Sequence, residues 1–157
     1  MTVAFELNGA PVVLDLPPET PLVHALRDGL GLFGTRWGCG AEACGACMVL
    51  LDGQPVPSCT LALDAVAGRR VRSVEGLGTP TAPHPLQTAF LEEQAGQCGY
   101  CLSGILVSAA ALLERNPDPD ETAVRTALDG NLCRCGAHNR IIRAVLRAAA
   151  SMRGVPA

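Results

Sequence analysis

Cys39, Cys44, Cys47 and Cys59 form one set of four thiols, and Cys98, Cys101, Cys133 and Cys135 form a second, with a long cysteine-free stretch (60–97) between them. The first set reads C-x4-C-x2-C with a fourth cysteine further on, the spacing of a plant-type [2Fe-2S] centre. A structural zinc site also takes four thiolates, usually from two C-x2-4-C knuckles, and this set has only one such knuckle. The residues between the thiols fit close wrapping around an inorganic core. "GTRWGCGAEACGAC" supplies Gly34, Gly38, Gly40 and Gly45, which let a backbone turn sharply and approach sulfur without a Cβ clash. The backbone N–H groups of Gly38, Gly40, Gly45 and Ala46 are expected to point at sulfur, stabilising its charge and tuning a potential. The second set, C-x2-C and later C-x-C, is not a zinc-knuckle pattern, because one residue between two ligands is unusual for zinc. Taken alone it is less specific than the first.

The chemistry open to a thiol depends on its surroundings. A formal net charge of −3, with 17% charged residues and no basic run, excludes an electrostatic footprint for nucleic acid or an anionic membrane. The start "MTVAFELNGAPVVLDL" has no basic segment followed by an apolar one, and nowhere do roughly 18 apolar residues run together as in a membrane span. This reading places synthesis in the cytoplasm, where thiols stay reduced and eight cysteines argue for metal or redox chemistry before disulfides. Export in complex with a signal-bearing partner would leave no mark on this sequence.

Two kinds of element must position the thiols. "TVAFEL" and "VVLDL", joined through Asn8-Gly9, and "CMVLLDGQPVPSC", turning at Asp52-Gly53, read as hairpins. Between them Glu19–Leu30 reads as a helix closed by Gly29 or Gly31, and "RRVRSVEGLG" offers a last strand. An α+β unit over residues 1–76 results. Residues 77–84, within the Gly/Pro/Thr-rich "LGTPTAPHP", read as a linker. Residues 85–157 read as a four-helix bundle: "HPLQTAFLEEQA", "LSGILVSAAALLERN", "DPDETAVRTALDGN" with Asp118 or Asp120 as cap and Gly130 as stop, and "HNRIIRAVLRAAASM". In the last helix Ile141, Ile142, Val145, Leu146 and Ala149 face inward, and Arg140, Arg143 and Arg147 face solvent or a partner. Cys98 and Cys101 precede one helix and Cys133 and Cys135 another, so two helix N-termini, whose partial positive charge favours thiolate, can gather four sulfurs.

The motifs "GCGAEACGACMVLLDGQPVPSC", "QCGYC" and "GNLCRC" give the chain a close resemblance, over nearly its whole length, to the small iron–sulfur subunit of the molybdenum hydroxylases. That family includes xanthine dehydrogenase, carbon monoxide dehydrogenase, aldehyde oxidoreductase and isoquinoline oxidoreductase. The resemblance implies a ferredoxin-like β-grasp domain with one [2Fe-2S] cluster, a helical domain with a second, and a large partner subunit carrying a molybdenum-pterin cofactor. It further implies that Gln97 and Cys135 approach the pterin; the glutamine amide offers both a donor and an acceptor. On this reading the chain passes electrons one at a time from the partner to an external acceptor, during oxidation of an N-heterocycle or aldehyde. Where the family often continues C-R-C-T-G-Y, this chain has "CRCGAHNRI". That variant resembles the isoquinoline oxidoreductase branch and points to a c-type cytochrome, or alternatively an FAD subunit, as the acceptor.

Other residues have plainer readings. His138 reads as a cap or packing group before a proton relay, Trp37 as a shield for the first thiol set, and Arg134 as a surface charge of small energetic weight. Gln97 could also cap its own turn. No Ser-His-Asp set, phosphate loop or carboxylate pair is present, so substrate chemistry belongs to another chain. A stand-alone electron carrier or redox sensor, and a zinc-stabilised interaction domain, are the other classes open to such a sequence. Purified protein is expected to be coloured and to contain iron and acid-labile sulfide; a colourless preparation holding zinc would overturn the iron–sulfur reading.

Overall fold

The computed structural model describes residues 2–155; Met1 and 156–157, the outer ends of the two expected segments, lie outside it. Strands β1 (Thr2–Leu7) and β2 (Ala10–Asp15) form the first hairpin, and β3 (Met48–Leu51) and β4 (Gln54–Pro57) the second. Each turns on a pair of left-handed residues, Asn8-Gly9 with φ of 52° and 83° and Asp52-Gly53 with φ of 50° and 82°. Such turns match the twist of the strands they join. Strand β5 (Arg70–Arg72) runs parallel to β1 and antiparallel to β3, giving a mixed sheet in the order β2-β1-β5-β3-β4. The two edges carry few ladder donors to spare: β4 holds Pro55 and Pro57, which cannot donate.

Along β1 the apolar residues alternate, and Val3, Phe5 and Leu7 point to one face. That face closes on the short helix α1 (Leu22–His24) and the π-helical turn that continues it (Ala25–Gly29), burying Leu22, Ala25 and Leu26 against the sheet. This is the β-grasp arrangement expected. The helix begins at Leu22, not Glu19, because Pro21 takes an extended conformation and bridges to Ala62.

Helices α2 (Pro85–Glu92), α3 (Leu102–Arg115), α4 (Glu121–Ala127) and α5 (His138–Met152) form the bundle around a second apolar core, centred on Leu86, Ile105, Val124, Ile141 and Val145. Of the two candidate caps for α4, Asp120 acts: its carboxylate accepts from Ala123 N–H at 2.7 Å. The helix ends at Ala127, so Gly130 is not its stop. Arg143 and Arg147 lie on the solvent side of α5, as expected, and find carboxylate partners there. They pair with Glu93 and Glu92 of α2, and Arg143, first among the causes, holds the Glu93 carboxyl below its usual range. Exposed pairs of this kind contribute about 0.2–1 kcal/mol each, against roughly 1.5–3 kcal/mol for each fully buried Leu or Ile. The apolar core therefore decides bundle stability.

The two cores meet at β3. Its residues are apolar without alternation because both faces are covered: Val49 and Leu51 enter the sheet core, while Leu50 packs on Val107 and Ala111 of α3. Contact is closest at Gly104. A Cβ there would stand 1.9 Å from the carbonyl oxygen of Gly45, a backbone atom that cannot rotate away. Gly104→Ala would gain about 1 kcal/mol of helix propensity but force this seam apart, at about 1–3 kcal/mol for overpacking. A net loss of stability is expected in denaturant titration of the full chain; a variant more stable than the parent would show that the seam can yield.

Candidate metal centres

The loop 38–47 between α1 and β3 carries the first three thiols. The backbone turns left-handed at Gly40, Glu42 and Gly45, and this curls the chain around Cys39. Ala41 and Ala43 N–H groups donate to Cys39 Sγ at 3.3 and 3.2 Å, and the Cys39 N–H donates to Cys44 Sγ at 3.4 Å. The donors thus differ from those expected. Gly38, Gly40 and Gly45 instead provide room: a Cβ on them would meet Cys44 Sγ, the Trp37 ring and the Asn131 amide, each at 2.5 Å. Cys47 and Cys59 are buried, and Ser58 ties them together, its N–H and hydroxyl both donating to the Cys47 carbonyl at 3.2 and 2.6 Å.

The second set sits as expected at two helix starts, Cys101 on the N-cap of α3 and Cys133 and Cys135 just before α5. Tyr100 N–H donates to Cys98 Sγ at 3.5 Å.

Electrostatics divide the thiols by side. The Ala41 and Ala43 N–H groups bring exposed Cys39 down to about 7. The Tyr100 N–H, followed by Cys135, lowers Cys98. Burial opposes ionisation of Cys133, but the Ala137 N–H, the Cys101 thiol and the Cys135 and Gly136 N–H groups outweigh it, and its pKa falls. Burial, reinforced by a facing thiol, pushes Cys47 up to about 11 and Cys101 up to about 12. Bound iron would displace those protons, since the thiolate is the ligand.

The same interactions show which thiols lie close to one another: Cys39 to Cys44, Cys47 to Cys59, and Cys98, Cys101, Cys133 and Cys135 among themselves. Among the described residues, no three or more Cys, His, Asp or Glu side chains converge as they would on one ion. Four thiols that do not gather on one point suit a two-iron cluster, with two thiolates to each iron, better than a single tetrahedral zinc. The donor set therefore fits a [2Fe-2S] group in each half.

Both sets open on one cavity of about 430 Å³, onto which Cys39 and Cys44 face from one side and Cys98, Cys101 and Cys133 from the other. The loops around it are stitched together. Leu132 N–H donates to the Cys44 carbonyl at 2.9 Å, and the Asn131 amide, only 3% exposed, donates to the Gly45 carbonyl at 3.2 Å. Sequence reasoning missed Asn131, Gly104, Arg36 and Tyr100; Asn131 stood inside the "GNLCRC" motif but nothing in the sequence said what it would touch.

The chain matches two family models, described as a 2Fe-2S iron-sulfur cluster binding domain over residues 5–73 and a [2Fe-2S] binding domain over residues 73–146. It is 49% identical to one subunit of the nicotinate dehydrogenase of Pseudomonas putida, covering 97% of both chains. The chain belongs to the small iron–sulfur subunits of the molybdenum hydroxylases. It is also 47% identical to the isoquinoline 1-oxidoreductase alpha subunit of Brevundimonas diminuta, over 94% of this chain and 97% of that one. A chain of quinoline 2-oxidoreductase from Pseudomonas putida 86 superimposes with a TM-score of 0.91 at 38% identity, over 98% of this chain and 97% of that one. As a member of this family the chain is an oxidoreductase subunit of α+β fold.

The other expected residues are divided between this cavity and its surroundings. His138 lines it and its Nε2 lies 3.5 Å from the Asn131 carbonyl, a backbone partner in keeping with packing. Trp37 stacks on His24 at 4.8 Å and covers the backbone at Gly40. Gln97 is exposed, and among the described residues no hydrogen bond supports its reading as a cap. It lines an open groove of about 710 Å³ with Phe90, Leu91, Leu102 and Leu106 and without a charged residue. Among the described residues no helix is long and apolar enough to cross a membrane.

In the metal-free chain, Cys39 is expected to react first with iodoacetamide. Its rate should rise through about pH 7, where a lowered pKa makes the thiolate available, while Cys47 and Cys101 lag until strongly alkaline pH. Peptide mass spectrometry after timed alkylation reads this directly; equal reactivity of the three would contradict the loop geometry.

Proposed function

We propose that the chain is the electron relay of a molybdenum-dependent hydroxylase. Cys39, Cys44, Cys47 and Cys59 would hold one [2Fe-2S] cluster within residues 1–76, and Cys98, Cys101, Cys133 and Cys135 the other within residues 85–157, joined by the linker 77–84. Such clusters supply one-electron chemistry. The partner's hydroxylation of an N-heterocycle or aldehyde with oxygen from water releases two electrons and two protons per turnover, so the electrons must cross this chain singly.

The single cavity shared by both thiol sets carries this reading. It keeps the sulfurs of one set beside those of the other and leaves the protein little to reorganise between them. The Leu132 N–H to Cys44 carbonyl bond supports a direct path, because Leu132 precedes Cys133 and the bond joins one ligand loop to the other. Gln97 and Cys135 are assigned to the side facing the pterin of the large subunit. The uncharged groove at Gln97 and the exposed Leu91 on its wall (78%) support a covering partner on that side. The exposed loop at Cys39, Ala41 and Ala43 is then the outgoing side, toward a c-type cytochrome or an FAD subunit. The relatives named for nicotinate and isoquinoline support an N-heterocycle over an aldehyde. Assembly in the cytoplasm, with export only alongside a partner, completes the reading.

Cys133→Ser, made in the complex with the large subunit, is expected to abolish turnover with every acceptor while the paramagnetic signal of the N-terminal cluster survives. Normal dye-linked activity in that variant would refute the relay.

A further inference from the structure

Arg36 is anchored in the N-terminal half, its N–H donating to the Ala46 carbonyl at 3.4 Å, yet its side chain ends in the other half. Nη1 donates to the carbonyl of Gly99 at 3.2 Å, and the guanidinium carbon lies 5.2 Å from the centre of the Tyr100 ring. Tyr100 returns the contact, its hydroxyl donating to the carbonyl of Trp37. Gly99 and Tyr100 lie between Cys98 and Cys101. The carbonyl of Gly99 and the N–H of Tyr100 are the two ends of one peptide group, and that N–H is the one that donates to Cys98 Sγ. Gly99 has a φ of +79° with open space where a Cβ would be, so a left-handed turn and not crowding dictates glycine. The turn aims one end of the peptide at Arg36 and the other at sulfur.

We propose that Arg36 is a positioning residue for the second cluster: from the opposite half of the molecule it polarises the Gly99–Tyr100 peptide, strengthens that peptide's hydrogen bond to Cys98 sulfur, and makes the cluster held there easier to reduce. The inference rests on the assignment of Cys98, Cys101, Cys133 and Cys135 as ligands of a [2Fe-2S] cluster. Hydrogen bonds in a chain polarise one another, and one with an ionised donor is about twice as strong as a neutral one. Hydrogen bonds to the sulfurs and local charge are the levers that set such potentials. Both act in the same direction here, because each stabilises the negative charge gained on reduction. Arg36 is half-buried, which limits screening, and among the described residues no carboxylate pairs with it to cancel its charge. A lysine would keep the charge but not the planar fork that hydrogen-bonds and stacks at once.

The test is a redox titration of the full chain loaded with iron and sulfide, followed by electron paramagnetic resonance, with the C-terminal signal assigned in a Cys39→Ser background. Arg36→Gln is expected to shift the midpoint potential of the C-terminal cluster downward and to change its g-values, with a smaller shift or none at the N-terminal cluster. Arg36→Lys is expected to fall between parent and Arg36→Gln, and serves as the test by itself if Arg36→Gln does not fold. A merely structural role would lower thermal stability without separating the two potentials. A C-terminal potential unchanged in every folded variant, or an equal shift of both clusters, overturns the proposal while leaving the relay reading intact; a chain that takes up no iron overturns both.

Discussion

Gly45 and Gly104 bring two backbones within van der Waals contact, and the rest of the site depends on that approach. The carbonyl of Gly45 fills the space where any other residue on α3 would carry a Cβ, and the buried Asn131 amide satisfies the same carbonyl from the loop before α5. One oxygen thus fixes the first thiol-bearing loop against elements of the second half. Because Cys44 precedes it and Cys133 follows Asn131 by two residues, closing this seam places sulfur from each set on a common cavity. A buried carbonyl without such partners would cost about 1–3 kcal/mol, so the seam is both a steric and a polar requirement.

Around this seam the molecule separates a wet side from a dry one. Cys39 and Cys98 are exposed and receive backbone N–H groups that favour thiolate, whereas buried Cys47 and partly buried Cys101 are held toward the neutral thiol by loss of solvent. Each half therefore has at least one thiol that favours the thiolate and another that favours the neutral form. Rigid packing behind the thiols, from Leu50 against α3 to Ser58 on Cys47, then limits movement when charge changes.

The two halves also share their polar contacts at the ligand loops and their apolar contacts behind them. Leu132 to Cys44, Asn131 to Gly45, Arg36 to Gly99 and Tyr100 to Trp37 all lie beside a cysteine. Leu50, Val107 and Ala111 lie behind. Apolar burial supplies most of the association, while the directional bonds decide the register in which the loops face each other.

Much of this was legible in the residues. Hairpins followed from Asn8-Gly9 and Asp52-Gly53, whose left-handed preference is local, and the helices followed from apolar periodicity that one face of a helix must satisfy. The thiol sets followed from spacing. Local rules did less well where a neighbour competed: Pro21 delayed α1, Asp120 prevailed over Asp118 as cap, and in the first thiol loop the N–H donors to cysteine sulfur were Cys39, Ala41 and Ala43. The sequence by itself determined which atoms were available, eight thiols and the flexible loops that carry them, because ligand type and loop flexibility belong to residues one at a time. Only the tertiary structure decided which sulfurs lie close, that both sets share a cavity, and that Arg36 crosses from one half to the other. The last two facts depend on residues more than sixty positions apart meeting through a seam, and distance in space between such residues is set by packing, which no local pattern encodes.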